Sequence, residues 1–298
     1  MPLKGTKIDS FERLMKLLLF LLFSMSIVSS CQRSEARISK ENFSQPKTLL
    51  NVPYGNDSLQ TMDVYLPAGR TTDSTKSIIL IHGGGWNGGN KSEFITYIDS
   101  FKKRMPDYAI LNLNYRLVNG GNLFPTQEHD IRTAVNFISR NSGEYGINKE
   151  SFVLLGASAG GHLALLQAYK YNEPKIKAVI DFFGPTDLVA MYRNPWHPLV
   201  PYALQMITGT TPDNNAQLYK QSSPINFVTA TSAPTLIFHG GNDNIVDLSQ
   251  SKALKKSLEA GGVANELIVY PQERHGWHGA TLSNSFNHIE AFLKAHVR

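Results

Sequence analysis

Six short, mainly apolar runs recur along the chain: Lys76–Ile81, Tyr108–Arg116, Phe152–Leu155, Ile176–Phe183, Thr235–Phe238 and Glu266–Tyr270. Each is bounded by turn residues, and a continuous apolar run of this length reads as a strand buried on both faces. Between them the period changes to that of a helix. Lys91–Arg104 ends before Pro106, and Asp130–Arg140 places Ile131, Ala134, Val135 and Ile138 on one face. A further helix starts at Gly161, Ser249–Ala260 stops at Gly261-Gly262, and Ser283–His296 aligns Phe286, Ile289, Phe292 and Leu293. Leu59–Leu66 alternates instead and ends at Pro67, which predicts an antiparallel edge strand. Alternating strands and helices predict right-handed βαβ units and an α/β fold, a mostly parallel central sheet with helices on both faces.

The pattern fails in two places. Between Gly184 and Ser232, Pro185, Pro195, Pro198, Pro201, Pro212 and Pro224 interrupt any period, and Tyr192, Trp196, His197 and Tyr202 cluster. So long a break between two buried strands predicts a short cap insertion, about residues 185–232, over the strands' C-terminal edge, with a long crossover packed on the sheet's side as the alternative. The other failure is at the start. Basic residues end at Lys16, and the twelve residues Leu17–Val28 are apolar except for two serines. That is short for a bilayer span and suits the apolar region of a signal peptide. Val28-Ser29-Ser30 then precede Cys31, the only cysteine of the sequence. These residues resemble a bacterial lipobox, which implies acylation of Cys31. Residues 1–30 are thus expected to be a lipoprotein signal peptide, 31–48 a polar tether and 49–298 the folded domain. The expected location is outside the cytoplasm, anchored by lipid on the periplasmic side or outer membrane of a Gram-negative cell. Gln32, rather than aspartate, after the cysteine resembles the outer-membrane sorting pattern.

Composition adds two limits. With 298 residues and 42% hydrophobic content the chain can bury a sizeable core, and one cysteine cannot form an intramolecular disulfide, so the core must carry stability. The net charge is +5, of which residues 1–30, with four cations and two anions, supply +2. The dispersed remainder excludes a nucleic-acid surface.

Chemistry concentrates where strands end. Gly156-Ala157-Ser158-Ala159-Gly160 joins a buried strand to a helix. Strand, G-x-S-x-G, helix is the setting of a nucleophile elbow, where the turn is too crowded for a side chain at either glycine. Ser158 is thereby presented at a helix N-terminus, which favours developing negative charge. His82-Gly83-Gly84-Gly85-Trp86 follows another buried strand and offers bare backbone N–H groups. It lacks the lysine and hydroxyl of a phosphate loop. Past the next two strand ends come His239-Gly-Gly-Asn-Asp243-Asn-Ile-Val-Asp247 and His275-Gly-Trp-His278. Serine, acid and histidine therefore reach one sheet edge in that order, as nucleophilic catalysis by a serine requires. Arg116 and Asp130 are expected to be partners in a structural cap or ion pair.

From about residue 50 to the end, these motifs resemble the α/β-hydrolases of the esterase/lipase kind, in the HGGGW branch that includes acetyl- and feruloyl-esterase-like enzymes. The resemblance implies a serine esterase with Ser158 as nucleophile, Asp243 as acid and His275 as base. It also implies an oxyanion hole built from the amides of Gly84, Gly85 and Ala159, with His82 shaping that loop. Asp247 is the weaker acid candidate and His278 the fallback base. No metal or organic cofactor is implied. The expected substrate is a small-molecule or glycan ester, acetylated or feruloylated carbohydrate first, and the expected membrane contact is the lipid anchor alone. Aryl formamidase and acyl-peptidase-like serine hydrolase are the alternative activities. A tethered binding protein on an inactive hydrolase scaffold is the alternative of a different class.

Overall fold

The computed structural model describes residues 43–297. Cys31, the expected signal peptide and most of the expected tether lie outside the described residues. Eight strands form one sheet: β1 (Lys47–Pro53), β2 (Thr61–Leu66), β3 (Lys76–Ile81), β4 (Tyr108–Leu113), β5 (Phe152–Ala157), β6 (Ile176–Phe182), β7 (Thr235–Gly240) and β8 (Asn265–Tyr270). Their spatial order is β1-β2-β4-β3-β5-β6-β7-β8. All pairs from β4 to β8 are parallel; β2 runs antiparallel to both β1 and β4.

Two expectations need correction. Leu59–Leu66 is not an edge, because β1 pairs with its outer side, and the edge strand is β1 itself. The tether does not extend to residue 48 either. Phe43 already packs under the Arg70 guanidinium, 4.7 Å from its ring centroid, and Gly69 donates its amide to the Phe43 carbonyl at 2.7 Å. Lys47-Thr-Leu-Leu-Asn-Val-Pro53 is half exposed, so its alternation is weak and the strand is fixed by pairing rather than by burial.

Alternation in the central strands separates two cores. Ile79, Ile81, Phe152, Leu154 and Ile237 face α2 (Thr126–Arg140), α3 (Ala159–Leu166) and α7 (Ser249–Ala260). Ile78, Leu80, Val153, Leu155, Leu236 and Phe238 face α1 (Ile95–Arg104) and α8 (Gly279–His296). The segment after β6 holds three short helices, α4 (Leu188–Arg193), α5 (Val200–Thr208) and α6 (Ala216–Gln221). Their Leu188, Met191, Leu204, Ile207 and Tyr219 join the first core, while the Phe124 amide, in the loop after β4, donates to the Ile207 carbonyl at 3.0 Å. The segment is thus held against the first core, on one face of the sheet. Asp130 accepts from Arg116 at 2.6 Å and from Gln60 at 2.7 Å, so this buried carboxylate is paired as expected. No described helix is long and apolar enough to cross a membrane.

Candidate active site

The elbow glycines are required by backbone, not by side chains. A Cβ on Gly156 would run into the Gly160 carbonyl, and one on Gly160 into the Ile81 carbonyl of β3, each well inside 3.0 Å. Strand, nucleophile and helix therefore meet only if both positions lack a side chain. Between them Ser158 is held at φ 54° and ψ −120°, a strained conformation for a residue with a Cβ. Its amide is tied to the Phe182 carbonyl at 2.8 Å, and its carbonyl accepts from His162 at 3.1 Å. The side chain is left to point off the sheet edge.

His275 Nε2 lies 2.9 Å from Ser158 Oγ, and His275 Nδ1 lies 2.7 Å from Asp243 Oδ2. The other oxygen of Asp243 accepts from the amides of Ile245 at 2.8 Å and Val246 at 3.0 Å. A carboxylate fixed this way accepts the Nδ1 proton, so the imidazole presents its Nε2 lone pair to the serine hydroxyl. Burial alone would raise the Asp243 pKa. The hydrogen bond and charge of His275, with the two amides, outweigh burial and hold it below the ordinary carboxylate value.

Acid and base loops are clamped together by backbone. Gly241 donates to the Tyr270 carbonyl at 2.8 Å and Asn242 to the Glu273 carbonyl at 2.9 Å. A Cβ on Gly240 would collide with the Arg274 carbonyl, which explains the Gly240-Gly241 pair after β7. His275 itself caps a tight turn closed by Gly276 N–H to the Arg274 carbonyl at 3.0 Å, with Gly276 at φ 112°.

The glycine loop lies over the nucleophile, since a Cβ on Gly83 would sit 3.4 Å from Ser158 Cβ. Gly84, Gly85 and Trp86 all take positive φ, at 96°, 58° and 61°. Among the described residues the amides of Gly84, Gly85 and Ala159 donate to no other group. His82 is buried, stacked on Tyr115 with ring centroids 4.2 Å apart, and burial lowers its pKa to about 4. Tyr115 Oη donates to the carbonyls of His82 and Gly83, at 3.0 and 3.1 Å, locking the loop.

Several supporting residues were not legible in the sequence. Trp86 Nε1 donates to His162 Nδ1 at 3.2 Å, which leaves His162 Nε2–H to donate to the Ser222 carbonyl at 2.7 Å. Burial lowers the His162 pKa to about 4, so this neutral ring joins the glycine loop, the nucleophile helix and the segment after α6. Phe183, at φ 47°, packs its ring 4.4 Å from that of His275. Neither carried a sequence signal, because each works through a contact distant along the chain. The weaker candidates are placed elsewhere. Asp247 Oδ1 accepts from the Ser249 amide at 2.9 Å, and His278 is an exposed residue at the start of α8.

Asp181, at the end of β6, is fully buried beneath Gly161 and Gly184. Its Oδ1 accepts from the Gly184 amide at 3.0 Å, and its Oδ2 has no partner. Burial pushes its pKa from the ordinary 3.8 up to about 7, against the pull of that one hydrogen bond. An acid with a raised folded-state pKa binds its proton more tightly when folded. Its stabilisation is complete below about pH 4 and is lost as pH rises toward 7. Asp181→Asn has no such dependence. The melting temperature of Asp181→Asn minus that of the native chain should therefore climb between pH 4 and 7 and level off above. A flat or falling difference would show that the carboxyl is already ionised.

The sequence model of the BD-FAE family matches residues 62–258. The chain is 25% identical to Esterase LipC of Mycobacterium tuberculosis over 243 residues, which cover 78% of this chain and 59% of that protein. It is 26% identical to the probable carboxylic ester hydrolase LipM of the same organism, covering 67% of this chain and 48% of that one. It therefore spans about half the length of these relatives. Among solved structures, a truncated carbohydrate esterase from gut microbiota superposes with a TM-score of 0.70 at 25% identity, covering 84% of this chain and 98% of that one.

Proposed function

This chain belongs to the BD-FAE family, and from that premise we propose that it is a serine-dependent carboxylic ester hydrolase. The observation that carries the reading is the hydrogen-bonded series Asp243, His275 and Ser158 beside three uncommitted backbone amides. In the first step Ser158 Oγ attacks the ester carbonyl while its proton passes to His275 Nε2. The resulting imidazolium is stabilised by Asp243 across Nδ1–H. The carbonyl oxygen, now an anion, is placed against the amides of Gly84, Gly85 and Ala159, each such donor contributing about 3 kcal/mol to the transition state. As the C–O bond to the alcohol breaks, His275 returns the proton to the leaving oxygen. Water, deprotonated by the same nitrogen, then releases the acid and restores the serine.

Acetylated or feruloylated carbohydrate, or a similar small ester, is the substrate class this reading favours. Likeness to a carbohydrate esterase supports it. Rates on p-nitrophenyl acetate, a feruloyl ester, an acetylated oligosaccharide and N-formylkynurenine separate it from the formamidase alternative. Turnover of the formamide and of no ester would overturn it.

We also propose that the enzyme is exported and held to a membrane through acylated Cys31, on the strength of the apolar run and the small residues before that cysteine. Acyl chains contribute about 0.8 kcal/mol per buried CH₂, so the several chains of a lipoprotein hold firmly where one does not. Cys31→Ala should shift the protein out of the membrane fraction or stall signal removal. Native protein that is wholly soluble and free of lipid by mass spectrometry would end this reading without touching the esterase one.

A further inference from the structure

A cavity of about 320 Å³ lies beyond the triad, lined by Asp187, Asn194, Trp196, Asp247, Ser249 and Gln250. Two short chain paths connect it to the catalytic histidine. Asp187 is four residues past Phe183, whose ring rests on His275, and Asp247 is four residues past Asp243, which bonds His275. Four residues reach at most about 14 Å, so the cavity opens within a few sugar rings of the reacting serine.

Its polar atoms divide into those already used and those left over. Gln250 is buried, and its Oε1 is spent accepting from the amides of Thr186 at 2.9 Å and Asp187 at 2.8 Å. One oxygen of Asp187 caps the Ala190 amide at 2.9 Å, and one of Asp247 holds the Ser249 amide at 2.9 Å. The second oxygen of each carboxylate has no partner among the described residues. Trp196 packs its ring on the first core, and its buried indole N–H is also unpaired.

These features select one ligand class. Two carboxylates repel a phosphate or an acidic group. The described residues include no cluster of three acidic, histidine or cysteine side chains able to hold a metal ion. A purely apolar group would strand the free oxygens. A neutral ring with hydroxyls on its rim and an apolar face suits the two free oxygens and the indole together. We propose that this cavity is a glycan subsite, in which Trp196 supports a pyranose unit of the substrate's alcohol moiety and Asp187 and Asp247 accept its hydroxyls. The proposal rests on the carbohydrate-ester reading above and adds where the sugar binds.

The test uses the full chain carrying Ser158→Ala and saturation-transfer NMR with xylotriose, mannotriose and cellotriose in turn. At least one trisaccharide should bind in the millimolar range. Adding Trp196→Ala should weaken it at least about tenfold, or 1.4 kcal/mol. Should that variant not fold, Asn194→Ala and Asp247→Ala, at partly or fully exposed positions, should each weaken binding several-fold. Absence of binding by all three sugars, or binding indifferent to these substitutions, overturns the subsite. Stabilisation by calcium chloride with no sugar response replaces it with a cation site and overturns it equally. Hydrolysis of p-nitrophenyl acetate by the native chain keeps the two readings apart. Turnover without sugar binding sinks only the subsite, whereas sugar binding without turnover of any ester sinks the esterase reading and with it the assignment of the sugar to the substrate's alcohol moiety.

Discussion

Ser158→Ala is expected to lower the rate of ester hydrolysis by about 10⁴-fold or more while leaving the fold intact. The substitution removes one oxygen from a side chain that points off the sheet edge and makes one side-chain hydrogen bond, to His275. Alanine meets the same backbone strain at φ 54° that serine already bears, and the amide and carbonyl bonds that pin the turn are main-chain. Melting temperature and circular dichroism should therefore match the native chain closely. The backbone amides remain, so the residual rate should still exceed that of water alone. A folded variant that turns over p-nitrophenyl acetate near the native rate would refute a serine mechanism.

Asp243→Asn should cost about as much, roughly 10⁴-fold, for a reason specific to this loop. The Ile245 and Val246 amides both point at Oδ1, and they demand an acceptor there. Asparagine must place its carbonyl oxygen on those two donors, which turns its NH₂ toward His275 Nδ1. Two donors cannot face each other, so the imidazole moves its proton to Nε2. That nitrogen then donates to Ser158 rather than accepting from it, and the nucleophile loses its base. The measurement is kcat/KM on a small aryl ester together with a melting curve. Activity within tenfold of native in a stable variant would mean that another group orients His275.

How much of this was legible beforehand depended on whether a feature is local. The elbow was, because the crowding that excludes side chains at Gly156 and Gly160 acts within a few residues and on the adjoining strand. So were the strand ends carrying Asp243 and His275, since a continuous apolar run marks a buried strand and the residues just past it must emerge at the edge. The edge position of β2 was misread. Lys47–Pro53 is half exposed, and a strand stabilised by pairing with a neighbour leaves little hydrophobic pattern.

Residue types and their order along the chain determined an α/β sheet, the nucleophile turn and the sequence of serine, acid and base, because burial and backbone sterics are written into short stretches. Tertiary structure alone decided which donors each of these groups meets. The choice between Asp243 and Asp247 rests on which carboxylate the β7 loop turns toward His275. The setting of the glycine loop rests on Trp86 meeting His162 across 76 residues and on Tyr115 reaching back to His82 and Gly83. Hydrogen bonds and ring contacts act over a few ångströms in space whatever the separation in sequence. Such partners are fixed only when the packed sheet brings the two stretches together.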